Sequence, residues 1–317
     1  MDSAEHRRTA WADLPVDLHR AVESLLGGPV ISALSQSNGF SPGSADRVRT
    51  AAGHRAFVKA VHRDRNPAAF DLHTREIEVM AALPRAVHAP ALLGSYSADG
   101  WVALILEDIE GRHPGAALDG TDVGPVLDAL ATFSAIPAAE LVALVELPRA
   151  ADEFRSDGAG WSELEEDGVL GDLPGWVQTS FDRLRVAAWD AAAAAEGDVL
   201  LHLDCRADNV LVDQAGTAWI IDWPWASIGA RWIDGLLYLL DARLRGENVD
   251  ADARLRTHPL FDGVTAAQID AVLAAVTGSF FNNARRPAPP NMPTLREFQR
   301  SEALAGAAWL RERWASR

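Results

Sequence analysis

Several kinds of chemistry lack their raw material in this chain. Its 317 residues contain one cysteine, Cys205, which excludes an intramolecular disulfide and fits a reducing compartment. The nine histidines are scattered, with no H-x-x-x-H pair and no Cys/His cluster, so a zinc-type ligand set is missing. Positive charge is scarce: 29 Lys and Arg against 45 Asp and Glu leave a formal net charge of −16. That balance argues against a phosphate-backbone partner, which draws on clustered basic residues. It would attract a cationic small molecule, although a solubilising acidic surface is the simpler explanation. No apolar run approaches a membrane span, and Met1–Arg8 has no apolar core for a signal peptide, so the expected location is the cytoplasm. No internal repeat or low-complexity domain occurs. What remains, 48% hydrophobic residues with mean hydropathy −0.04, suits a soluble globular protein long enough for two lobes with their own cores.

The chain is organised around Val199–Val212 and Ala218–Pro224. Runs of Val, Leu and Ile too short for helices are broken by Asp, Arg and Gly, which predicts three short buried strands with a polar loop between the first two. That loop holds His202, Asp204 and Asn209 as H-x-D-x-x-x-x-N, and Asp222 ends the next apolar run. The order suits phosphoryl transfer: Asp204 beside an acceptor hydroxyl as general base, then the Asn209 amide oxygen and the Asp222 carboxylate to hold magnesium on nucleotide phosphates. His202 reads as a hydrogen-bonded loop anchor. Trp223 and Trp225 could stack on a sugar or base, with core packing as the alternative.

Upstream, Leu14, Leu18, Val22, Leu25 and Leu26 predict a helix from Trp11 to Gly27, ended by Gly27-Gly28-Pro29. Strands follow at Ile31–Asn38, Asp46–Thr50 and Arg55–Val61. Gly39-Phe40-Ser41-Pro42-Gly43-Ser44 is either an ordinary hairpin or a phosphate-covering loop in which glycine permits close backbone approach. Lys59 interrupts the apolar run Ala56–Val61. It is either an edge-strand lysine turned to solvent or a cation for the α- and β-phosphates, and the downstream Asp-Asn-Asp set favours the second. Pro67–Leu83 is a helix with Phe70, Ile77, Met80 and Leu83 on one face and Pro84 as its stop. Glu76 and Glu78 both compete for the inward position. Leu92–Ser97 and Trp101–Leu106 form a hairpin.

Taken together, these motifs resemble the aminoglycoside phosphotransferases and their relatives in the protein-kinase-like fold. The usual motif there is H-G-D-x-x-x-x-N; here Leu203 replaces the glycine, which an ordinary backbone conformation at Leu203 would permit. The resemblance implies an α+β, two-lobed protein-kinase-like fold, with a small antiparallel-sheet lobe (1–108) and a larger, mainly helical lobe (109–317). It implies that Glu76, in an E-x-x-x-M-x-x-L pattern, pairs with Lys59, and that Gly39, Phe40 and Ser41 cover the nucleotide phosphates. Glu107, Asp108 and Ile109 fall at the hinge, whose backbone groups meet the purine edge and leave side-chain identity permissive. Arg206 falls where it would offset charge on the transferred phosphoryl group, or else simply pairs with Asp208. Asp234 would hold backbone N–H groups of the catalytic loop.

Beyond Gly111 the pattern is helical at Val123–Ala135 and Leu184–Ala195. The acidic stretches 151–157 and 163–167 between them read as a solvated loop or as an acceptor site for ammonium groups. A helix begins near Gly229–Asp234, and two more occupy Thr265–Arg317 around a Pro287–Pro293 linker. The implied activity is a magnesium-dependent transfer from ATP or GTP to a small-molecule hydroxyl. The acceptor would be an aminoglycoside or other antibiotic, or a metabolic amino sugar or amino alcohol. The protein would be a monomer or homodimer that binds neither nucleic acid nor membrane. A nucleotide-binding pseudokinase scaffold is the alternative from another class. A protein kinase is disfavoured because neither D-F-G nor A-P-E follows Asp222.

Overall fold

The computed structural model describes residues 9–36, 43–289 and 292–316. These fall into two compact units. The first draws on Met1–Arg112 and Leu211–Trp225, with Met292; the second draws on His113–Val210, Ala226–Pro289 and Pro293–Arg317.

The first unit opens with a short 3-10 turn at Trp11–Asp13 and helix α1 (Val16–Leu25). The helix expected from Trp11 starts later because Pro15 forces Leu14 into an extended conformation. Strands β1 (Val30–Ser35), β2 (Ser44–Thr50), β3 (Arg55–His62), β4 (Leu92–Ala98) and β5 (Trp101–Leu106) form one antiparallel sheet in the order β1-β2-β3-β5-β4. β1 ends at Ser35, short of the expected Asn38. Alternation along β3 assigns the two faces. Ala56, Val58 and Ala60 pack with Leu14, Leu18, Val22 and Leu26 from α1 and its flanks. Phe57, Lys59 and Val61 take the opposite face, where Val61 meets Ala69 and Phe70 of α2 (Pro67–Ala82). Asn66 caps α2 by accepting the Ala69 N–H, and Pro67 occupies the first turn, where no N–H is needed. β6 (Gly111–Arg112), β8 (Val210–Asp213) and β9 (Ala218–Ile220) make a second small sheet, in the order β6-β8-β9.

The second unit holds α3 (Val123–Phe133), α4 (Ala150–Glu166), α5 (Gly175–Thr179), α6 (Phe181–Trp189) and α7 (Ala191–Ala195). It continues through β7 (Val199–Leu201), β10 (Ser227–Gly229), α8 (Ile233–Leu244), α9 (Ala251–Thr257), α10 (Ala266–Ala284) and α11 (Leu295–Ala315). β7 pairs antiparallel with β10, a strand that sequence patterning does not announce.

The acidic stretch expected as a loop is the 17-residue helix α4. Its glycines serve contact rather than termination. A Cβ at Gly160 would lie 2.8 Å from the Ser279 backbone nitrogen of α10, so only glycine permits this crossing. Beside it the fully buried Trp161 donates its indole N–H to the Ala274 carbonyl at 2.8 Å. α10 starts with a Thr265/Gln268 capping box. No described helix is long and apolar enough to cross a membrane.

Candidate active site

In the first unit, the side chain of Lys59 leaves β3 between two carboxylates. Its ammonium donates to Glu76 Oε1 at 2.9 Å and Oε2 at 3.1 Å, and to Asp222 Oδ1 at 2.9 Å. Glu76 is the inward glutamate of α2, almost wholly buried. It also accepts the Trp223 N–H at 3.4 Å. Arg75 next to it donates to the Pro224 carbonyl at 2.7 Å, so consecutive residues of α2 grip the segment that follows β9. Burial opposes the Lys59 charge, but Asp222 and Glu76 outweigh it and hold the ammonium above its ordinary range. Burial raises the Glu76 carboxyl, partly offset by Lys59. His73, one turn before Glu76, is pushed down to about 4 by burial and by the Lys59 charge. Asp222 sits at φ +68°, and its side chain remains 44% exposed. Its carboxylate is therefore partly accessible, with Lys59 donating to one oxygen.

Trp223 is fully buried and donates its indole N–H to the Ile220 carbonyl at 2.9 Å, which settles it as core. Trp225 is half exposed.

In the second unit, the loop after β7 is built on its own backbone. Asp234 of α8 accepts the N–H groups of His202 and Leu203, both at 2.8 Å. Asp241, two turns further on the same helix face, accepts the Ala207 N–H at 2.9 Å. His202 is fully buried and its Nδ1 takes the Asp204 N–H at 3.3 Å. His113 Nδ1 lies 3.2 Å from the Ala207 carbonyl and 2.9 Å from that of Val210, at the far end of the loop. Leu203 departs from expectation, for its φ is +63°, the left-handed region where glycine is at home. Two hydrogen bonds to one buried carboxylate, at Leu203 and its neighbour, over-determine the loop and hold this strain.

This scaffold presents Asp204. Asn209 Nδ2 donates to the Asp204 carbonyl at 2.8 Å and to its Oδ2 at 2.9 Å, while Arg206 Nη1 donates to Oδ1 at 2.8 Å. Arg206 also meets Asp208 through Nε at 3.1 Å and Nη2 at 2.9 Å. With the Asn209 nitrogen engaged, its Oδ1 is the atom left for a hard cation. Cys205 is buried and its thiol is pushed well up by burial and by surrounding carboxylates, so it is no nucleophile.

The segment Glu107–Ile109 is less permissive than expected. The Asp108 carboxylate is nearly buried between Arg47 Nε at 2.6 Å and Arg55 Nε at 2.9 Å. The Ile109 carbonyl accepts from Arg47 at 2.9 Å, and the Glu107 N–H is bound to the Ala91 carbonyl at 2.8 Å. Asp108 therefore locks this segment to β2 and β3. Arg47, Arg55, Asp108, Leu34, Gly111 and Val212 line a cavity of about 580 Å³ in the first unit. Gly39, Phe40 and Ser41 lie outside the described residues.

Among the described residues no three His, Cys, Asp or Glu side chains gather as a ready-made metal site. A magnesium ion bound through nucleotide phosphates needs only one or two protein oxygens, and Asp222 and Asn209 Oδ1 are donors of that kind. Sequence reasoning missed Asp241 and the Asp108 clamp. The i, i+7 spacing from Asp234 could have found Asp241. It also left one signal unused: Lys59 is the only lysine among 317 residues, the other 28 basic residues being arginine.

The fold is shared with solved structures. A spectinomycin phosphotransferase, solved with ADP and spectinomycin, matches with TM-score 0.60 and 10% identity over 94% of this chain and 98% of that one. An aminoglycoside phosphotransferase from Alicyclobacillus acidocaldarius matches with TM-score 0.56 and 15% identity, over 94% and 96%. Choline kinase from Streptococcus pneumoniae matches with TM-score 0.53 and 14% identity, over 95% and 98%. The architecture is thus the protein-kinase-like α+β fold, with a small antiparallel-sheet lobe and a larger helical one. No curated protein matches the sequence. The model of the phosphotransferase enzyme family matches residues 39–275, well over half of the length, and the chain belongs to that family.

Proposed function

We propose that the protein transfers the γ-phosphate of ATP or GTP, as a magnesium complex, to a hydroxyl of a small molecule. The observation that carries this reading is Lys59, a half-buried ammonium kept charged by Glu76 and Asp222. A cation held ready in this way costs little reorganisation when it takes up a phosphate oxygen.

The remaining roles follow from what each group has left to offer. Phe57 lies two positions before Lys59 on the same strand face, half-buried, and offers a ring on which a purine can stack. With the Glu107 N–H and the Ile109 carbonyl engaged, the Glu107 carbonyl and the Ile109 N–H are the acceptor and donor for a purine edge. Gly39, Phe40 and Ser41 would cover the phosphates. Asp204, oriented by Asn209 and Arg206, accepts the proton of the acceptor hydroxyl as it attacks. Arg206, already shared between Asp204 and Asp208, offsets charge on the transferred group. Magnesium, held by Asp222 and Asn209 Oδ1, would neutralise charge on the phosphate oxygens.

The named substrates of the structural relatives, spectinomycin and choline, support a hydroxyl-bearing small molecule, whether an aminoglycoside, another antibiotic, or a metabolic amino sugar or amino alcohol. Such an enzyme would work in the cytoplasm. The test is a magnesium–nucleotide turnover screen over aminoglycosides, nucleoside antibiotics, amino sugars and amino alcohols. The reading expects one acceptor to gain the mass of one phosphate, with the signal absent in Asp204→Ala. Nucleotide binding without transfer to any acceptor would contradict it and favour the scaffold alternative.

A further inference from the structure

The cavity at the Asp108 clamp has no part in the scheme above. Its walls come from β1 to β3, from the chain between Asp108 and Arg112, and from β8 with the turn after it, all in the first unit. Lys59, Phe57, Glu107, Ile109 and Asp222 do not line it. Its charge runs against that of the chain. Basic residues number 29 against 45 acidic ones overall, but the lining carries Arg47, Arg49, Arg55 and Arg112 against Asp108, Glu110 and Asp213. Each of those carboxylates is already engaged. Asp108 is shared by Arg47 and Arg55, and Glu110 meets Arg55. Asp213 turns to its own hairpin, where it accepts the Ala215 and Thr217 N–H groups at 2.8 and 2.9 Å and the Trp219 indole N–H at 3.0 Å. The cations are not all engaged. Arg49 is exposed and has no hydrogen bond or ion pair among the described residues. Arg47 uses Nε and Nη2, which leaves Nη1 to donate. Register sharpens the imbalance: Arg49 stands directly across from Arg55, with Arg47 two residues along the same face, and facing like charges weaken a strand pair. Beside them Leu34, paired with Arg47 across β1 and β2, is 64% exposed in the same cavity.

We infer that this cavity binds a small organic anion, whose phosphate or carboxylate head is held by Arg49 and the spare Arg47 donor and whose apolar body covers Leu34. Either head offers paired oxygens to a planar guanidinium fork. A volume of about 580 Å³ is that of a small-molecule site. An inorganic ion would satisfy the arginines and leave Leu34 in water, and a neutral ring would cover Leu34 and leave the arginines unanswered. Because Arg47 also holds Asp108 and the Ile109 carbonyl, the ligand would rest against the side chain that fixes that segment. This goes beyond the proposed transfer reaction and does not depend on it.

The test is calorimetric titration of the protein at pH 7, without nucleotide, with phenyl phosphate, phthalate, inorganic phosphate and benzyl alcohol. Phenyl phosphate or phthalate should bind at one site per chain, and the tighter of the two tells a phosphate head from a carboxylate one. Inorganic phosphate and benzyl alcohol each lack half of the ligand and should bind about 10-fold more weakly or worse. Arg49→Gln should weaken binding of the aromatic anion about 10-fold or more, and Arg49→Lys should retain part of it. Arg20→Gln removes an equal charge from an exposed position on α1 and should leave the affinity unchanged. Since Arg49 has no partner to lose, Arg49→Gln should unfold at the temperature of the unaltered protein. Absence of saturable binding by either aromatic anion, equal binding of inorganic phosphate or benzyl alcohol, or an equal effect of Arg20→Gln and Arg49→Gln would overturn the inference. No arm needs nucleotide or turnover, so failure of phosphoryl transfer leaves this readout intact, and failure here leaves the transferase reading standing.

Discussion

Lys59 in the first unit and Asp204 in the second are both half-buried charges, but they are secured by different means. Lys59 is held by side chains: two carboxylates, 17 and 163 positions away, contribute charge that outweighs the cost of burial. Asp204 is held by its backbone. Asp234 and Asp241 of α8 fix the N–H groups of residues 202, 203 and 207, and a left-handed Leu203 is tolerated as part of the turn. The first arrangement is set by charge balance and should respond to pH. The second is a rigid scaffold that should respond to lost hydrogen bonds.

The sharpest way to probe the contrast is Asp204→Asn, which keeps the scaffold and removes the base. It should lower kcat by about 1,000-fold, within the range for a lost general base, with nucleotide affinity unchanged in a binding titration. Asp234→Ala attacks the scaffold instead. Leaving two buried N–H groups unpaired should cost about 2–4 kcal/mol, read from the midpoint of urea unfolding.

His73 tests the charge-balanced side. In the folded protein it resists protonation until about pH 4, whereas the unfolded chain takes up that proton below about pH 6.5. Its folded value is the lower one, so stability is fully present above the unfolded value and falls as pH drops through that window. His73→Gln should flatten this part of a stability–pH profile. The smallest effect belongs to Leu203→Gly, which removes left-handed strain but adds freedom to the unfolded chain. A net gain of no more than about 1 kcal/mol in thermal unfolding is expected.

Much of the first unit was legible because its signals are local. Strand alternation around Lys59, the α2 face bearing Glu76, and the apolar run ending at Asp222 each stand out in a short window, and the structure brings the three together. The same holds for Asp234, whose charge inside an apolar helix demanded partners. What escaped reading depends on tertiary contact. The acidic stretches read as a loop, but close approaches of Gly158 to Ala188 of α6 and of Gly160 to α10 override their weak helix propensity in α4. Asp108 looked like a hinge residue of permissive identity, but Arg47 and Arg55 converge on it from neighbouring strands. Leu203 looked tolerable only in an ordinary conformation, because its neighbours' hold on Asp234 cannot be read from the motif.

The central claim is that the single lysine is a prepared phosphate cation. It is tested most directly by titrating magnesium–ATP and magnesium–GTP into the protein, Lys59→Met and Lys59→Arg. Loss of one charge-assisted contact predicts about 10- to 100-fold weaker nucleotide binding for Lys59→Met. Lys59→Arg should also weaken it, because a planar fork does not fit the place of a compact ammonium between Glu76 and Asp222. Unchanged affinity in Lys59→Met, with its fold intact by circular dichroism, would contradict the account.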